Sequence, residues 1–232
     1  MPGRRLLLVS PHFDDAVLAC GQWLVMQAGA VVVTVFAGIP DGFEGVTGWD
    51  ADCGFSSSRA ALDARRAEDD AALALLGCRA LRLPFCDAQY GVAADAERVA
   101  DALGGILTTT AADTVAFPLG LFHSDHILTR DAALIALTRG AAAAAQTLAY
   151  EDALYRRLPH ATDAALAALR RAGVRIGAPV ERDDAAARAR KRSALACYRS
   201  QLRGLATPGR PGHADAMAPE RCWPVVVPLR GS

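Results

Sequence analysis

Short apolar runs alternate with longer amphipathic stretches along residues 1–150 of the chain. The runs predict buried strands and the stretches predict helices, because strands and helices bury side chains with different periods. Strand and helix follow each other in strict alternation, and consecutive parallel strands need a helical crossover of this kind. The predicted strands cover residues 5–9, 31–36, 80–83 and 114–117, and the predicted helices cover residues 15–27, 59–76, 94–107 and 124–137.

This order predicts an α/β fold: a three-layer α/β/α, Rossmann-like, mostly parallel sheet with its active site at the carboxyl-terminal edge of the strands. The pattern loosens after about residue 140. We interpret the chain as one domain over residues 1–232, with a core at about 1–150 and a substrate-shaping extension at 151–232. The later part is predicted to hold strands at 147–150, 174–180 and 225–227 and helices at 163–171 and 184–201.

Residues 38–58 are rich in Gly, Asp, Ser and aromatic residues and follow neither a helical nor a strand period. They are predicted to form a loop, and a loop of this length inside a compact domain is usually functional. We expect this loop and the segment after residue 140 to select the substrate.

Two polar segments interrupt the apolar pattern where a predicted strand meets a predicted helix. Residues 10–16 read SPHFDDA and residues 123–126 read HSDH. All such transitions of a parallel sheet lie along one edge, so the two segments can meet in space. Three of the five histidines of the chain lie in them.

Two imidazoles and one carboxylate from these segments form a candidate metal site. His12 and Asp15 are three residues apart across a turn, and His126 can add a third ligand from the other segment. A hydrolytic zinc site needs about three such ligands and an open position for water. The same set also suits ferrous iron, so Zn²⁺ is predicted, with Fe²⁺ or another divalent ion as the alternative.

The remaining polar residues of the two segments can supply acid and base. Asp14 lies next to a candidate ligand, where a general base for an activated water is needed. His123, as imidazolium, could stabilise an oxyanion or protonate a leaving amine, and Asp125 could orient a histidine. The plainer interpretation is that Asp14 and Asp15 only cap a helix, and that the histidines are buried or solvated without a ligand.

Composition narrows the classes of partner. Lys plus Arg and Asp plus Glu each number 25, so the formal net charge is zero and gives no electrostatic basis for binding nucleic acid. No apolar stretch is long enough for a membrane span, and no signal-peptide pattern precedes the first strand. Six cysteines without a CxxC pair are read as reduced core residues. We therefore expect a cytoplasmic protein with a small-molecule substrate, and homo-oligomers are compatible with the sequence.

The two segments resemble the motifs of the PIG-L or LmbE-like zinc-dependent N-acetylglucosaminyl deacetylases. SPHFDDA is similar to the first motif of that family and HSDH to the second, which follows FPLG at residues 117–120. Weaker similarities are RRAE at 65–68, the acidic residue after the third strand, YED at 150–152, YRSQ at 198–201 and ERCW at 220–223. Phe13 and Ala16 depart from the commoner residues of the first motif, which bears on the substrate more than on the reaction.

The resemblance implies a zinc-dependent hydrolase that removes the N-acetyl group from a 2-acetamido sugar conjugate of the N-acetylglucosamine type through a metal-activated water. It implies zinc at His12, Asp15 and His126, with catalytic roles for Asp14 and His123. It also implies that Arg65 and Asp87 face the substrate.

Three other functions remain to be weighed. One is metal-dependent hydrolysis of a different amide or an ester, as in thiol-conjugate cleavage. Another is a non-catalytic α/β module that binds a sugar or nucleotide. A dinucleotide-dependent oxidoreductase is disfavoured, because G-x-G-x-x-G is missing after the first strand.

Overall fold

The computed structural model describes residues 5–143 and 145–229. Its strands are β1 (Leu6–Ser10), β2 (Val31–Thr34), β3 (Arg79–Arg82), β4 (Thr114–Pro118), β5 (Gln146–Tyr150), β6 (Arg175–Ile176), β7 (Val180–Arg182) and β8 (Glu220–Val226). Its helices are α1 (Asp15–Val25), α2 (Gly48–Asp52), α3 (Ser58–Leu76), α4 (Ala96–Thr110), α5 (Ser124–Thr138), α6 (Ala161–Arg171), α7 (Ala185–Leu195) and α8 (Arg199–Leu205). None of these helices combines the length and the apolar character that crossing a bilayer requires.

One twisted sheet forms the centre of the molecule, with the strand order β3-β2-β1-β4-β5-β8-β6 and with β7 also paired to β8. Strands β1 to β5 are parallel, and β8 runs antiparallel beside β5. The predicted α/β class with a mostly parallel sheet is therefore confirmed.

Strand β1 shows why the apolar runs are continuous. Leu6 and Leu8 pack on one face of the sheet with α1, α3 and α7, whereas Leu7 and Val9 pack on the other face with α4, α5 and α6. A strand covered by helices on both faces must be apolar at every position, which is the pattern of a buried parallel strand.

The order of the strands reverses next to β1. The chain runs outward from β1 to β2 and β3 and then returns to place β4 on the opposite side of β1. A crevice opens between the carboxyl ends of two strands at such a switch point. The loops after β1 and β4, which carry the two polar segments, therefore begin side by side.

The helix predicted for residues 184–201 is wrong in one respect: the structure holds two helices, α7 and α8. Tyr198 separates them and is fully buried, with its hydroxyl 3.0 Å from Asp69 Oδ1 and 3.2 Å from the Phe13 carbonyl oxygen. The two bonds hold Tyr198 against the first polar segment and against Asp69 of α3, at the point where α7 has ended and α8 begins.

The single strand predicted for residues 174–180 is also wrong. Two short strands, β6 and β7, pair separately with β8, and Gly177 and Pro179 lie between them. Proline has no N–H for a sheet ladder, which explains the interruption. The predicted loop at 38–58 contains the short helix α2, whose first turn is capped by the Thr47 hydroxyl accepting the Asp50 N–H at 3.0 Å.

A buried ion pair supports a kink in α1. The helix leaves helical geometry at Cys20, with φ −131° and ψ 19°. Glu220 accepts the freed N–H groups of Gln22 and Trp23 at 2.7 and 3.0 Å, and it accepts Lys191 Nζ at 2.7 Å. Lys191 is fully buried and donates also to the Leu18 carbonyl.

Substitution of Lys191 by Met should therefore destabilise the protein strongly, because it leaves the Glu220 carboxylate buried without its counter-ion. We expect a loss of about 3–5 kcal/mol in the free energy of unfolding, measured by urea denaturation. A double variant, Lys191→Met with Glu220→Gln, removes the charge as well and should recover part of the loss.

A matched control lies on the same helix. Arg188 forms a surface ion pair with Asp183, and Arg188→Met should change stability by less than about 0.5 kcal/mol. A Lys191→Met variant as stable as this control would contradict the role assigned to the buried pair.

Candidate active site

One cavity at the switch point brings together the residues that the sequence assigned to the metal, to catalysis and to the substrate. Its lining comprises His12, Asp14, Asp15, Arg65, Asp87, His123 and His126. The loops after β1 and β4, together with the first turns of α1 and α5, supply the histidines and the paired aspartates. Arg65 comes from α3, and Asp87 comes from the loop after β3. The placement of these residues follows from the parallel topology.

The turn after β1 is held by Ser10. Its hydroxyl donates to the His12 carbonyl oxygen at 2.7 Å and accepts the Ala16 N–H at 3.0 Å, which ties the end of the strand to the start of α1. Asp15 Oδ2 accepts the backbone N–H of His12 at 2.9 Å. These bonds fix the His12 ring beside the Asp15 carboxylate.

The rings of His12 and His126 both lie close to that same carboxylate oxygen. Asp15 Oδ2 lies 3.0 Å from His12 Nδ1 and 3.2 Å from His126 Nε2. One ligand atom from each of the three residues lies within 4.8 Å of the others, so a single ion can touch all three. The set also fits a divalent cation chemically, since imidazole and carboxylate are ligands of zinc and ferrous iron.

In each of the two rings, the nitrogen that does not face Asp15 lies within hydrogen-bond distance of another carboxylate. His12 Nε2 lies 3.0 Å from Asp125 Oδ2, and His126 Nδ1 lies 2.5 Å from Asp152 Oδ1. Such carboxylate partners orient metal-binding histidines and fix their tautomer. A second group, His12 with His123 and Asp125, also has its ligand atoms within 4.8 Å of one another. The first group is favoured because it leaves both orienting carboxylates in place.

The carboxylates make this part of the cavity favourable for positive charge. Burial lowers the pKa of His126, but Asp15 and Asp152 outweigh it and raise that pKa to about 9. Burial likewise opposes protonation of His12, yet Asp87, Asp125 and Asp15 together hold the pKa of its ring well above the usual value. A divalent cation held by the same carboxylates would satisfy this electrostatic preference without protons on the rings.

Asp14 occupies the N-cap position of α1, but its side chain makes no capping hydrogen bond. The capping interpretation of the paired aspartates is therefore wrong for Asp14, a residue that lines the cavity and is only 6% exposed. Burial, followed by the charge of Asp15, raises the pKa of Asp14 to about 7. A carboxyl in this environment can both accept and return a proton near neutral pH.

His123 caps α5 with its ring. Its Nδ1 accepts the Asp125 N–H at 3.2 Å, which leaves the ring proton of the neutral form on Nε2. Burial and the neighbouring His12 and His126 lower the pKa of His123. This environment favours a neutral ring that donates a hydrogen bond, in place of the imidazolium that the sequence suggested.

Arg65 and Asp87 are both partly committed to neighbours. The guanidinium of Arg65, which is 5% exposed, donates from Nη2 to Asp50 Oδ1 at 2.6 Å, while its Nε has no acceptor among the described residues. Asp87 accepts the Gln89 backbone N–H at 3.0 Å, and its Oδ2 lies 3.7 Å from His12 Nε2. Arg65 and Asp87 thus both line the cavity while bonded to neighbouring side chains or backbone.

Sequence reasoning missed several residues of the site. Asp152 was noted only as part of a weak similarity, yet it also accepts the Leu121 N–H at 3.0 Å. Its position two residues after β5, at the same sheet edge as the other two segments, is the signal that could have found it. Trp49, Tyr155 and Gln201 also line the cavity, which shows that the 38–58 loop and the C-terminal part of the chain both contribute walls.

The comparisons with known proteins agree with this geometry. Residues 7–137 match the GlcNAc-PI de-N-acetylase (PIG-L) family. The chain belongs to this family. The predicted resemblance is confirmed, and with it the prediction of a deacetylase that acts on amide bonds. Among curated proteins, the sequence has no significant match.

Solved structures of deacetylases match almost the whole chain. A deacetylase triple mutant from the teicoplanin biosynthetic pathway is 29% identical, with a TM-score of 0.77 over 98% of this chain and 100% of that one. The antimicrobial A40926 pseudoaglycone deacetylase is 28% identical, with a TM-score of 0.76 over 97% and 98%. The zinc-inhibited form of teicoplanin deacetylase is 26% identical, with a TM-score of 0.75 over 98% and 100%. These similarities extend past the family match into the C-terminal part of the chain.

Substitution of Asp152 by Asn keeps the shape of the side chain but removes the charge that orients His126. We expect the affinity for a divalent metal to fall by about 10–100-fold, measured by competition with a chromogenic chelator. Asp101→Asn, on the exposed pair with Arg139, is the control and should leave the affinity unchanged. Equal affinities in the two variants would show that Asp152 does not support the site.

Proposed function

We propose that this protein is a metal-dependent hydrolase that removes the acetyl group from a 2-acetamido sugar conjugate of the N-acetylglucosamine type and releases acetate. The proposal rests on one observation. The rings of His12 and His126 both approach the Asp15 carboxylate, and Asp14, whose side chain makes no capping hydrogen bond, lines the same cavity. The family and the deacetylase structures support the reaction class.

We assign the metal to His12, Asp15 and His126, with Zn²⁺ as the proposed ion. A divalent ion held by these residues would lower the pKa of water from about 16 to about 7 and would polarise the amide carbonyl. Asp125 and Asp152 hold the two rings in the tautomers that leave His12 Nδ1 and His126 Nε2 free to bind.

Asp14 acts as the general base. Its carboxylate accepts a proton from the attacking water, whose oxygen forms a bond with the acetyl carbon. When the carbon–nitrogen bond breaks, the proton passes to the leaving amine, so the products are acetate and an amino sugar. The absence of a capping bond leaves the Asp14 carboxylate free for both transfers.

His123 stabilises the negative charge that develops on the carbonyl oxygen. Because the Asp125 N–H occupies Nδ1, the ring can donate from Nε2. A preorganised donor of this kind is worth more in the transition state than in the ground state, since the oxygen carries more charge there.

Arg65 and Asp87 are the proposed contacts to the sugar. Arg65 lines the cavity, and its guanidinium, anchored by Asp50 through Nη2, carries further N–H donors that can bond to sugar hydroxyl groups. Asp87 supplies carboxylate oxygens at the cavity wall that can accept from sugar hydroxyl groups.

The direct test is acetate release from a panel of acetamido sugars by the purified protein with its metal content measured. Substitution of Asp14 by Asn should lower kcat by about 10²–10⁴-fold while the bound metal is unchanged, because Asp14 acts on the proton and not on the ion. His126→Ala should instead lose the metal. Near-normal turnover in Asp14→Asn would show that another group is the base.

Removal of the metal gives an independent prediction. Dialysis against a chelator should abolish acetate release, and about one equivalent of Zn²⁺ should restore it, since the proposed reaction would need the ion at His12, Asp15 and His126. The metal-free protein should still unfold in a single cooperative transition, because the core strands do not depend on the site. Full activity of protein that retains less than about a tenth of an equivalent of metal would contradict the mechanism.

A further inference from the structure

Gln89 holds both oxygen atoms of the Asp87 carboxylate. Its backbone N–H donates to Asp87 Oδ1 at 3.0 Å, and its side-chain Nε2 donates to Oδ2 at 2.9 Å. Both residues line the cavity, where Asp87 caps the short 3-10 helix Ala88–Tyr90. A carboxylate has about four acceptor positions, so about two positions of Asp87 remain for a ligand. Gln89 therefore fixes the directions in which Asp87 can accept a hydrogen bond.

The orientation of the Gln89 amide follows from its two partners. A carboxylate only accepts hydrogen bonds, so the amide nitrogen must face Asp87. On the other side, the Thr47 hydroxyl donates to Gln89 Oε1 at 2.5 Å, while its own oxygen accepts the Asp50 N–H at 3.0 Å. The Gln89 side chain thus connects Asp87 to the 38–58 loop.

The same loop holds Arg65, the other proposed contact to the sugar. Asp50 Oδ1 accepts Arg65 Nη2 at 2.6 Å, and the second oxygen of Asp50 accepts the Ser58 hydroxyl. Asp50 is fully buried, so the loss of either partner would leave a buried charge without full compensation. A continuous chain of hydrogen bonds therefore links the two proposed sugar contacts, in the order Asp87, Gln89, Thr47, Asp50 and Arg65.

The 3-10 helix that carries Gln89 is also bonded to the candidate metal site. The Ala88 N–H donates to Asp125 Oδ2 at 3.1 Å, and the same oxygen lies 3.0 Å from His12 Nε2. The acceptor positions of Asp87 are therefore held at a set distance from a ring that is proposed to bind the metal. A sugar whose acetamido group reacts there can bond to Asp87 only through a hydroxyl group at the matching position of its ring.

We propose that Gln89 is a specificity-determining residue, which Thr47 orients and which positions Asp87 to accept a hydrogen bond from one particular hydroxyl group of the 2-acetamido sugar. This inference rests on the proposed function. Gln89 is a positioning residue, because it acts through Asp87 and takes no part in the chemical step. A hydroxyl contact remote from the reacting bond is made alike in the ground state and the transition state, so it contributes to KM and not to kcat.

Replacement of Gln89 by Met removes the amide and keeps the length of the side chain. On the methyl glycoside of N-acetylglucosamine, we expect KM to rise by about threefold to tenfold and kcat to stay within about twofold, measured with zinc-loaded protein. Gln27→Met is the matched control, since Gln27 follows α1 at the opposite edge of the sheet and does not line the cavity. An unchanged KM in Gln89→Met would overturn the proposal.

Substrates that lack single hydroxyl groups distinguish positioning from a structural role. The panel comprises the 3-deoxy, 4-deoxy and 6-deoxy analogues of the same glycoside. On the analogue that lacks the hydroxyl bound by Asp87, Gln89→Met should lower kcat/KM by less than about twofold, because the contact is already missing. Asp87→Asn should identify the same analogue. Losses of equal size on all three analogues would mean that Gln89 only stabilises the loop, which would overturn the proposal.

The link to the loop is tested by Thr47→Val, which removes the hydroxyl that orients the amide but leaves Gln89 in place. We expect a smaller rise in KM, of about twofold to fivefold, with the same dependence on the analogue. This change also removes the N-cap of α2, so Asp95→Ala, which removes the N-cap of α4, is the control and should leave KM unchanged. Equal KM values in the two variants would contradict the orienting role of Thr47.

Binding to an inactive protein separates this inference from the proposed function. In the Asp14→Asn background, calorimetry should show that Gln89→Met raises the Kd for the methyl glycoside by about threefold to tenfold. Normal acetate release together with an unchanged Kd would overturn the role of Gln89 alone. Acetate release from neither this glycoside nor any other acetamido sugar would overturn the proposed function and this inference with it.

Discussion

The site depends on a single oxygen atom, Asp15 Oδ2. It accepts the His12 backbone N–H and lies within 3.2 Å of one ring nitrogen from each of His12 and His126. One carboxylate can reach both rings only because β1 and β4 are neighbours in the sheet, although their loops are more than 100 residues apart in the chain. The reversal of strand order is therefore the constraint from which the geometry of the candidate metal site follows.

The C-terminal part of the chain stabilises that geometry through residues that do not line the cavity. Glu220 and Lys191 replace the hydrogen bonds that α1 loses at its kink, and α1 is the helix that starts with Asp15. Tyr198 places its hydroxyl within 3.2 Å of the Phe13 carbonyl in the same turn. Polar groups that are buried and fully paired fix one arrangement, because leaving any of them unpaired is costly. The position of the paired aspartates thus depends on residues that never touch the cavity.

Local pattern predicted the parallel core and the meeting of the two polar segments, because strand ends in a parallel sheet share one edge. It could not predict the break at Tyr198. The hydrogen bond from this buried tyrosine to Asp69, which is distant in sequence, does not change the helical periodicity of residues 184–201. Asp152 and the first part of β8, residues 220–224, were not predicted for a similar reason: their partners are distant in sequence, and their placement depends on which strands pair. The roles of Asp14 and Asp15 could be separated only through the second histidine segment.

The central claim is that His12, Asp15 and His126 bind one divalent ion. The most direct measurement is a crystal structure of the protein loaded with one equivalent of Zn²⁺, with anomalous diffraction recorded at the zinc absorption edge. The account predicts one anomalous peak in contact with His12 Nδ1, Asp15 and His126 Nε2. A peak held instead by His12 Nε2, His123 and Asp125, with His126 unbound, would contradict it.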